Sequence, residues 1–274
     1  MINAKAAIGL FALLLTSASF GQTFGATKPI WQQRSLYRNI IVLEGNGHRC
    51  LTFGKRSARQ SCIETDQPDK LIFGYTQRMF EALQHLNSIR RVLVIGIGGG
   101  SLPMAIHHRF PEAHIDAVEL DPEVVRVAER YFQFRPDEKL NVFAEDGRVF
   151  IRKAIKDNIR YDAILLDAFD KDYIPEHMAT AEFLQQVKTA LNPDGLLLAN
   201  TYAGTGYQKH EEATYQSVFE VIHESKIPNG NRIILAGKDA ARISGRLPDS
   251  GEVKPSNALV MTDRYAPVNA LLIH

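Results

Sequence analysis

The chain lacks an excess of charge of either sign. Its 32 basic and 31 acidic residues leave a formal net charge of +1, which argues against a nucleic-acid partner gripped through its phosphates. It has no internal repeats, no low-complexity tract and no long run of like charge, so solenoids and charged tails are excluded. It also lacks a comfortable membrane span. The apolar stretch from Ala6 to Leu15 is about half of the roughly 20 residues a spanning helix needs. With Lys5 before it and small residues after it, that stretch fits a secretory signal peptide cleaved after Ala18 or Gly21, within residues 1–26. No cysteine follows the small residues, which argues against a lipoprotein anchor. Export, to a periplasm for instance, is the expectation. An uncleaved inner-membrane anchor or a cytoplasmic location is the alternative, because Lys28, Arg34 and Arg38 nearly balance the positive charge before the apolar run.

Cysteine is almost absent. The two present, Cys50 and Cys62, flank "LTFGKRSARQS". A hairpin centred on Arg56 sets them opposite each other, close enough for a disulfide. An exported protein can form that bond; two buried free thiols are the other reading.

What is present is a core-forming chain of 274 residues, 45% of them hydrophobic, enough for one large domain with a small one attached. Residues 36–66 alternate and are rich in β-formers, which predicts a small antiparallel β-unit. "PDKLIFGYTQRMFEALQHL" has helical spacing. From Arg91 onward, apolar strands alternate with amphipathic helices: "RVLVIG", "HIDAVEL", "LNVFAED", "YDAILLDAF" and "LLLANTYA" are strands, each followed by a helix. The last of these helices is "EEATYQSVFEVI", and "RIILAG" and "NALVMTDR" read as two closing strands. Residues 67–274 are therefore expected to form an α/β domain, a doubly wound and mainly parallel sheet of Rossmann type.

In such sheets ligands lie at the carboxyl ends of the strands. The first strand ends in Gly96, Gly98, Gly99 and Gly100, a turn on which a ligand can lie against bare backbone. The second ends in Glu119, about twenty residues past the first glycine, where an acid can hold a ribose through both hydroxyls. Asp121, just beyond, reads as a helix cap. The third ends in Asp146-Gly147, suited to an adenine amino group and a ring nitrogen. The fourth ends in Asp167, with Asp170 three residues on. So many acids would repel a pyrophosphate and favour a cation, which points to an adenosyl-sulfonium ligand: S-adenosylmethionine or its decarboxylated form. His107 and His108 read as solvated helix residues with no cysteine or spaced acid beside them, and no metal site is expected.

"VLVIGIGGGSLP", "VELDPEVV", "EDGR", "DAFD" and "VMTDRYAPVN", taken together, resemble the polyamine aminopropyltransferases, the spermidine synthase family, over roughly residues 36–265. The resemblance implies a class I methyltransferase fold and transfer of an aminopropyl group from decarboxylated S-adenosylmethionine to a diamine such as putrescine. It implies Glu119 on the ribose, Asp146 and Gly147 on the adenine, Asp167 as the base, Asp170 as an amine ligand, and a homodimer or homotetramer. Tyr75 stands one step from a family Tyr-His pair, replaced here by Phe73 and Gly74, and is a candidate substrate contact. Gly99 stands where the family's glycine-rich loop carries an aspartate, Arg38 where it carries a glutamine, and "NTYAGTG" where it carries Tyr-Pro-Ser. The nucleoside half of the site is retained and much of the amine-binding wall is replaced. Two other functions fit the same residues: an S-adenosylmethionine-dependent methyltransferase, and an exported nucleoside- or polyamine-binding protein without catalysis.

Overall fold

The computed structural model describes residues 26–54, 59–168, 175–228 and 230–272. Two sheets organise it. The smaller is a four-stranded antiparallel meander of β1 (Lys28–Arg34), β2 (Asn39–Gly45), β3 (His48–Phe53) and β4 (Arg59–Glu64). β1 precedes the stretch that alternation picks out; most of its residues are exposed, so it carries no core-facing pattern to find. In the β3–β4 pair Cys50 faces Cys62, and the two are disulfide-bonded. Both are buried against Ile72 and Phe73. The turn around Arg56 lies outside the described residues.

The larger sheet has eight strands, in the order β12-β10-β11-β9-β8-β5-β6-β7. Five are parallel: β5 (Arg91–Ile95), β6 (His114–Glu119), β7 (Leu140–Ala144), β8 (Tyr161–Leu166) and β9 (Leu191–Tyr202). β5, β8 and the Leu196–Ala199 stretch of β9 are largely apolar and buried, as expected where helices cover both faces. On one face α1 (Gly74–Gln84), α2 (Ser101–Arg109), α3 (Pro122–Tyr131) and α7 (Ala240–Ser244) bury Met79, Ile106, Val124 and Ile243. On the other, α4 (Gly147–Lys156), α5 (Ala181–Ala190) and α6 (Tyr207–Phe219) bury Ile151, Phe183 and Tyr215. Strand order reverses between β5 and β8, so the crossovers diverge there and leave a cleft at the carboxyl ends. This is the expected doubly wound α/β architecture. Among the described residues no helix is long and apolar enough to cross a membrane.

The antiparallel edge departs from expectation. β11 (Asn231–Gly237) is the anticipated "RIILAG" strand, but its outer neighbour is β10 (Ile222–Lys226), flanked by β12 (Ser250–Glu252). "NALVMTDR" is not a strand. Met261 is buried, its N–H donates to the Thr214 hydroxyl (2.9 Å), and its carbonyl accepts from the Ala181 N–H (2.9 Å). Side chain and helix terminus satisfy that backbone, and no sheet neighbour is needed. β10 hides behind polar letters, because His223 and Ser225 are themselves buried. Arg232 of β11 is fully buried between Glu211 (2.5 Å) and Glu212 (3.0 Å) of α6 and Glu224 of β10 (2.9 Å), tying this edge together. His107 is also not a solvated residue: its ring is largely covered and bonds to Asp137 at 3.0 Å.

The disulfide closes a loop of sequence separation 12. A cross-link of that span stabilises by about 3 kcal/mol through the unfolded chain. The double variant Cys50→Ser/Cys62→Ser is expected to lose that amount in urea denaturation. The unreduced wild type should show no titratable thiol in denaturant.

Candidate functional site

The site is built where β5 and β8 lie side by side. The Asp167 N–H donates to the Ile95 carbonyl (2.8 Å), and the Gly96 N–H to the Val118 carbonyl of β6 (2.8 Å). Gly96 has φ +86°, and a Cβ there would overlap the Asp167 carbonyl, so glycine is required twice over. The turn enters α2 through Gly100, a left-handed N-cap whose missing Cβ leaves room for the Phe134 ring. Gly98 and Gly99 lie against Ser61 of β4, bringing the small sheet to the rim of the cleft.

Gly96, Gly98, Glu119, Asp146, Gly147 and Asp167 line one cleft together with Tyr75 and Arg38. Gly99 and Gly100 of the same turn do not line the cavity; Gly100 packs against Phe134 at the start of α2. Asp170 lies outside the described residues.

Glu119 ends β6. One oxygen accepts from the Ile97 N–H (3.3 Å) and the other from the Asp121 N–H (3.1 Å). Burial pushes its carboxyl above the ordinary range, while these two N–H groups and the Arg38 charge pull it back. Arg38 stacks over the Phe53 ring, 4.2 Å from its centroid. Asp121 caps α3 through the Glu123 N–H (2.9 Å), as expected, and also accepts from the Ser35 hydroxyl (2.5 Å), which pins the β1–β2 turn.

Asp146 does more than the strand-end position suggests. Its Oδ1 caps α4 by accepting from the Val149 N–H (2.9 Å), and its Oδ2 lies 2.8 Å from His177 Nε2. The cap was legible in principle, since an Asp directly before an amphipathic helix is the pattern recognised at Asp121. His177, beyond the residues outside the description, offered no signal.

Asp167 is the carboxylate of the cleft whose proton affinity is raised most plainly. Burial raises its carboxyl to about 7, assisted by the Glu119 charge and opposed by the bonds from Asn200 and Tyr75. The Asn200 amide of β9 donates at 2.9 Å, and the Asn231 amide of β11 donates to the Asn200 oxygen at 3.0 Å. Asn200 was unread in the sequence although, like Asp167, it is a polar residue near the end of an apolar strand. The Tyr75 hydroxyl sits beside Asp167 and 3.4 Å from the Gln60 carbonyl. Burial, then the Asp167 charge, hold that hydroxyl protonated well beyond its ordinary range. The result is a carboxylate with a near-neutral proton affinity, facing a cleft whose other charges are mostly acids. Among the described residues no group of three metal-ligating side chains occurs.

The spermine/spermidine synthase domain model matches residues 73–222, more than half of the chain. A polyamine aminopropyltransferase of Vibrio vulnificus is 44% identical over 232 residues, 83% of this chain and 77% of that one. The chain belongs to the spermine/spermidine synthase family. A probable spermidine synthase from Corynebacterium glutamicum superposes with a TM-score of 0.69 at 19% identity, over 85% of this chain and 96% of that one, and shares the fold. Human methyltransferase-like protein 13, solved with SAH, matches with a TM-score of 0.55 at 28% identity, over 61% of this chain and 82% of that one.

The raised carboxyl of Asp167 has a stability consequence. The folded protein binds this proton more tightly than the unfolded chain, so stability falls as pH rises from about 4 through about 7. The shift from 3.8 to about 7 corresponds to about 4 kcal/mol at most. Asp167→Asn is expected to raise the melting temperature at pH 8. That gain should vanish below pH 4, where both side chains are neutral.

Proposed function

We propose that the protein is an aminopropyltransferase that moves the aminopropyl group of decarboxylated S-adenosylmethionine to a diamine such as putrescine, releasing methylthioadenosine. The observation that carries this reading is the half-buried Asp167, with a carboxyl raised to about 7, placed beside Tyr75 at the strand-order reversal of a chain 44% identical to a polyamine aminopropyltransferase. In that reading Glu119 holds the ribose, and Asp146 with the Gly147 N–H holds the adenine.

The chemistry follows from the charges. A diamine is protonated at neutral pH and is no nucleophile in that form. The Asp167 carboxylate attracts the ammonium, and its high proton affinity lets it accept a proton as the nitrogen lone pair attacks. The new C–N bond forms at the carbon bonded to sulfur. The C–S pair leaves with sulfur, which becomes the neutral thioether of methylthioadenosine. The sulfonium is already a good leaving group, so positioning of the two reactants supplies much of the acceleration. Acid-rich walls favour both cations.

An exported location agrees with the buried Cys50–Cys62 disulfide, and a homodimer or homotetramer agrees with the family.

Calorimetry with decarboxylated S-adenosylmethionine, S-adenosylmethionine and methylthioadenosine tests the donor. Preference for the decarboxylated donor is expected. Preference for S-adenosylmethionine would favour methyl transfer, and no binding of any of the three would favour a non-catalytic relative. In steady state, kcat/KM should rise about tenfold per pH unit up to about 7 and then level as Asp167 ionises. Asp167→Asn should lower kcat by about 10³-fold or more while methylthioadenosine affinity stays within about threefold.

A further inference from the structure

His177 lies in a single 3₁₀ turn, Glu176–Met178, beside α4 at the Asp146 end of the cleft. It lines the cavity, and its Nε2 is 2.8 Å from Asp146 Oδ2. The other oxygen of Asp146 is committed to the α4 cap. The two bonds therefore hold the carboxylate from two directions, one through the backbone of α4 and one through an imidazole.

The turn that carries the imidazole is itself held. Arg148, the second residue of α4, donates to the His177 carbonyl (2.8 Å) and forms a bidentate pair with Asp263 (2.8 and 2.7 Å). The Thr180 hydroxyl donates to the same Asp263 carboxylate (2.7 Å). Met178, the next residue, is buried, with its methyl 3.4 Å from where a Gly147 Cβ would stand. The backbone of the turn is thus locked to the first turn of α4.

We infer that His177 is a positioning residue that makes the site selective for a 6-amino over a 6-oxo purine, by preventing Asp146 from turning to follow the base. The inference rests on the assignment of Asp146 to the adenine end. An ionised carboxylate is an acceptor only, so the shared proton is on His177 Nε2. A carboxylate has about four lone-pair sites, and the cap and His177 use two. What is left accepts from an exocyclic amine. A 6-oxo base puts a carbonyl oxygen against that acceptor and carries its proton on the neighbouring ring nitrogen instead. A carboxylate free to rotate could follow that proton. One tethered on both oxygens cannot, and the mismatch then leaves polar groups unpaired, which is how hydrogen-bonding sites discriminate most strongly.

The test is calorimetric binding of methylthioadenosine and its 6-oxo analogue methylthioinosine to the wild type, His177→Ala and His177→Gln. The wild type should prefer the amino base by about 100-fold or more. His177→Ala should shrink that ratio about tenfold, with weaker methylthioadenosine and stronger methylthioinosine binding. His177→Gln, whose Nε2 can still donate to Asp146, should return the ratio to within about threefold of the wild type. An unchanged ratio in His177→Ala, or equal weakening of both ligands without rescue by Gln, would overturn this inference and leave the transferase reading standing. If the wild type bound neither nucleoside, the assignment of the cleft would fall and this inference with it.

Discussion

Everything the site uses hangs on the seam between β5 and β8. The Asp167 N–H reaches the Ile95 carbonyl, and the carbonyl of Asp167 occupies the space a Gly96 side chain would need. Two strand ends can approach this closely only if one of them is bare backbone, and only at the reversal of strand order do the chains then leave over opposite faces. α2 follows β5 onto one face and α5 follows β8 onto the other. The cleft is the gap between those departures. A glycine turn and a carboxylate are neighbours there because the sheet topology puts them side by side, although 71 positions separate Gly96 from Asp167 in the chain.

That proximity carries an electrostatic consequence. Glu119 and Asp167 are half-buried at the ends of β6 and β8, the two strands that flank β5, and desolvation drives both carboxyls upward. The fold contains the cost mainly with neutral donors: two backbone N–H groups on Glu119, helped there by the Arg38 charge, and Asn200 and Tyr75 alone on Asp167. Neutral donors stabilise a carboxylate without cancelling its charge. The cleft thus keeps its attraction for a cation, and Asp167 keeps a proton affinity high enough to act near neutral pH. An arginine in the place of Asn200 would hold Asp167 ionised more firmly and make it a poor base.

The parallel core was legible because its strands are mostly apolar and alternate with helices of helical hydrophobic spacing. The strand-end acids were legible because a carboxylate closing a run such as "AILL" has few structural reasons to be there. Legibility failed where burial and polarity part company. β10 was hidden by His223 and Ser225, polar letters that the sheet edge buries. "NALVMTDR" misled because an apolar segment can satisfy its backbone on helix termini and a threonine hydroxyl instead of a strand. His177 and Asn200 reach the site from elements whose own periodicity says nothing of the partner they meet.

Gly99 shows how the small sheet and the domain settle a departure from the family pattern. The resemblance to the family sets one of its aspartates at this place. Here a Cβ would come 2.9 Å from both the Ser61 hydroxyl and the Phe132 ring. The space is filled from two sides, so an acid could not be restored by a single substitution without moving β4 or the end of α3. Ser61 is next to Cys62, whose disulfide to Cys50 anchors β4 against Ile72 and Phe73, which limits how far β4 can give. The side of the cleft formed by the small sheet therefore bears Ser61 and Gln60 where an acid would stand, and in the proposed transferase reading recognition of a cationic chain falls mainly to Asp167 and Tyr75. Selectivity among amines would then be set by the shape of that wall, and the parallel sheet beneath it could keep the nucleoside half unchanged while the wall diverged.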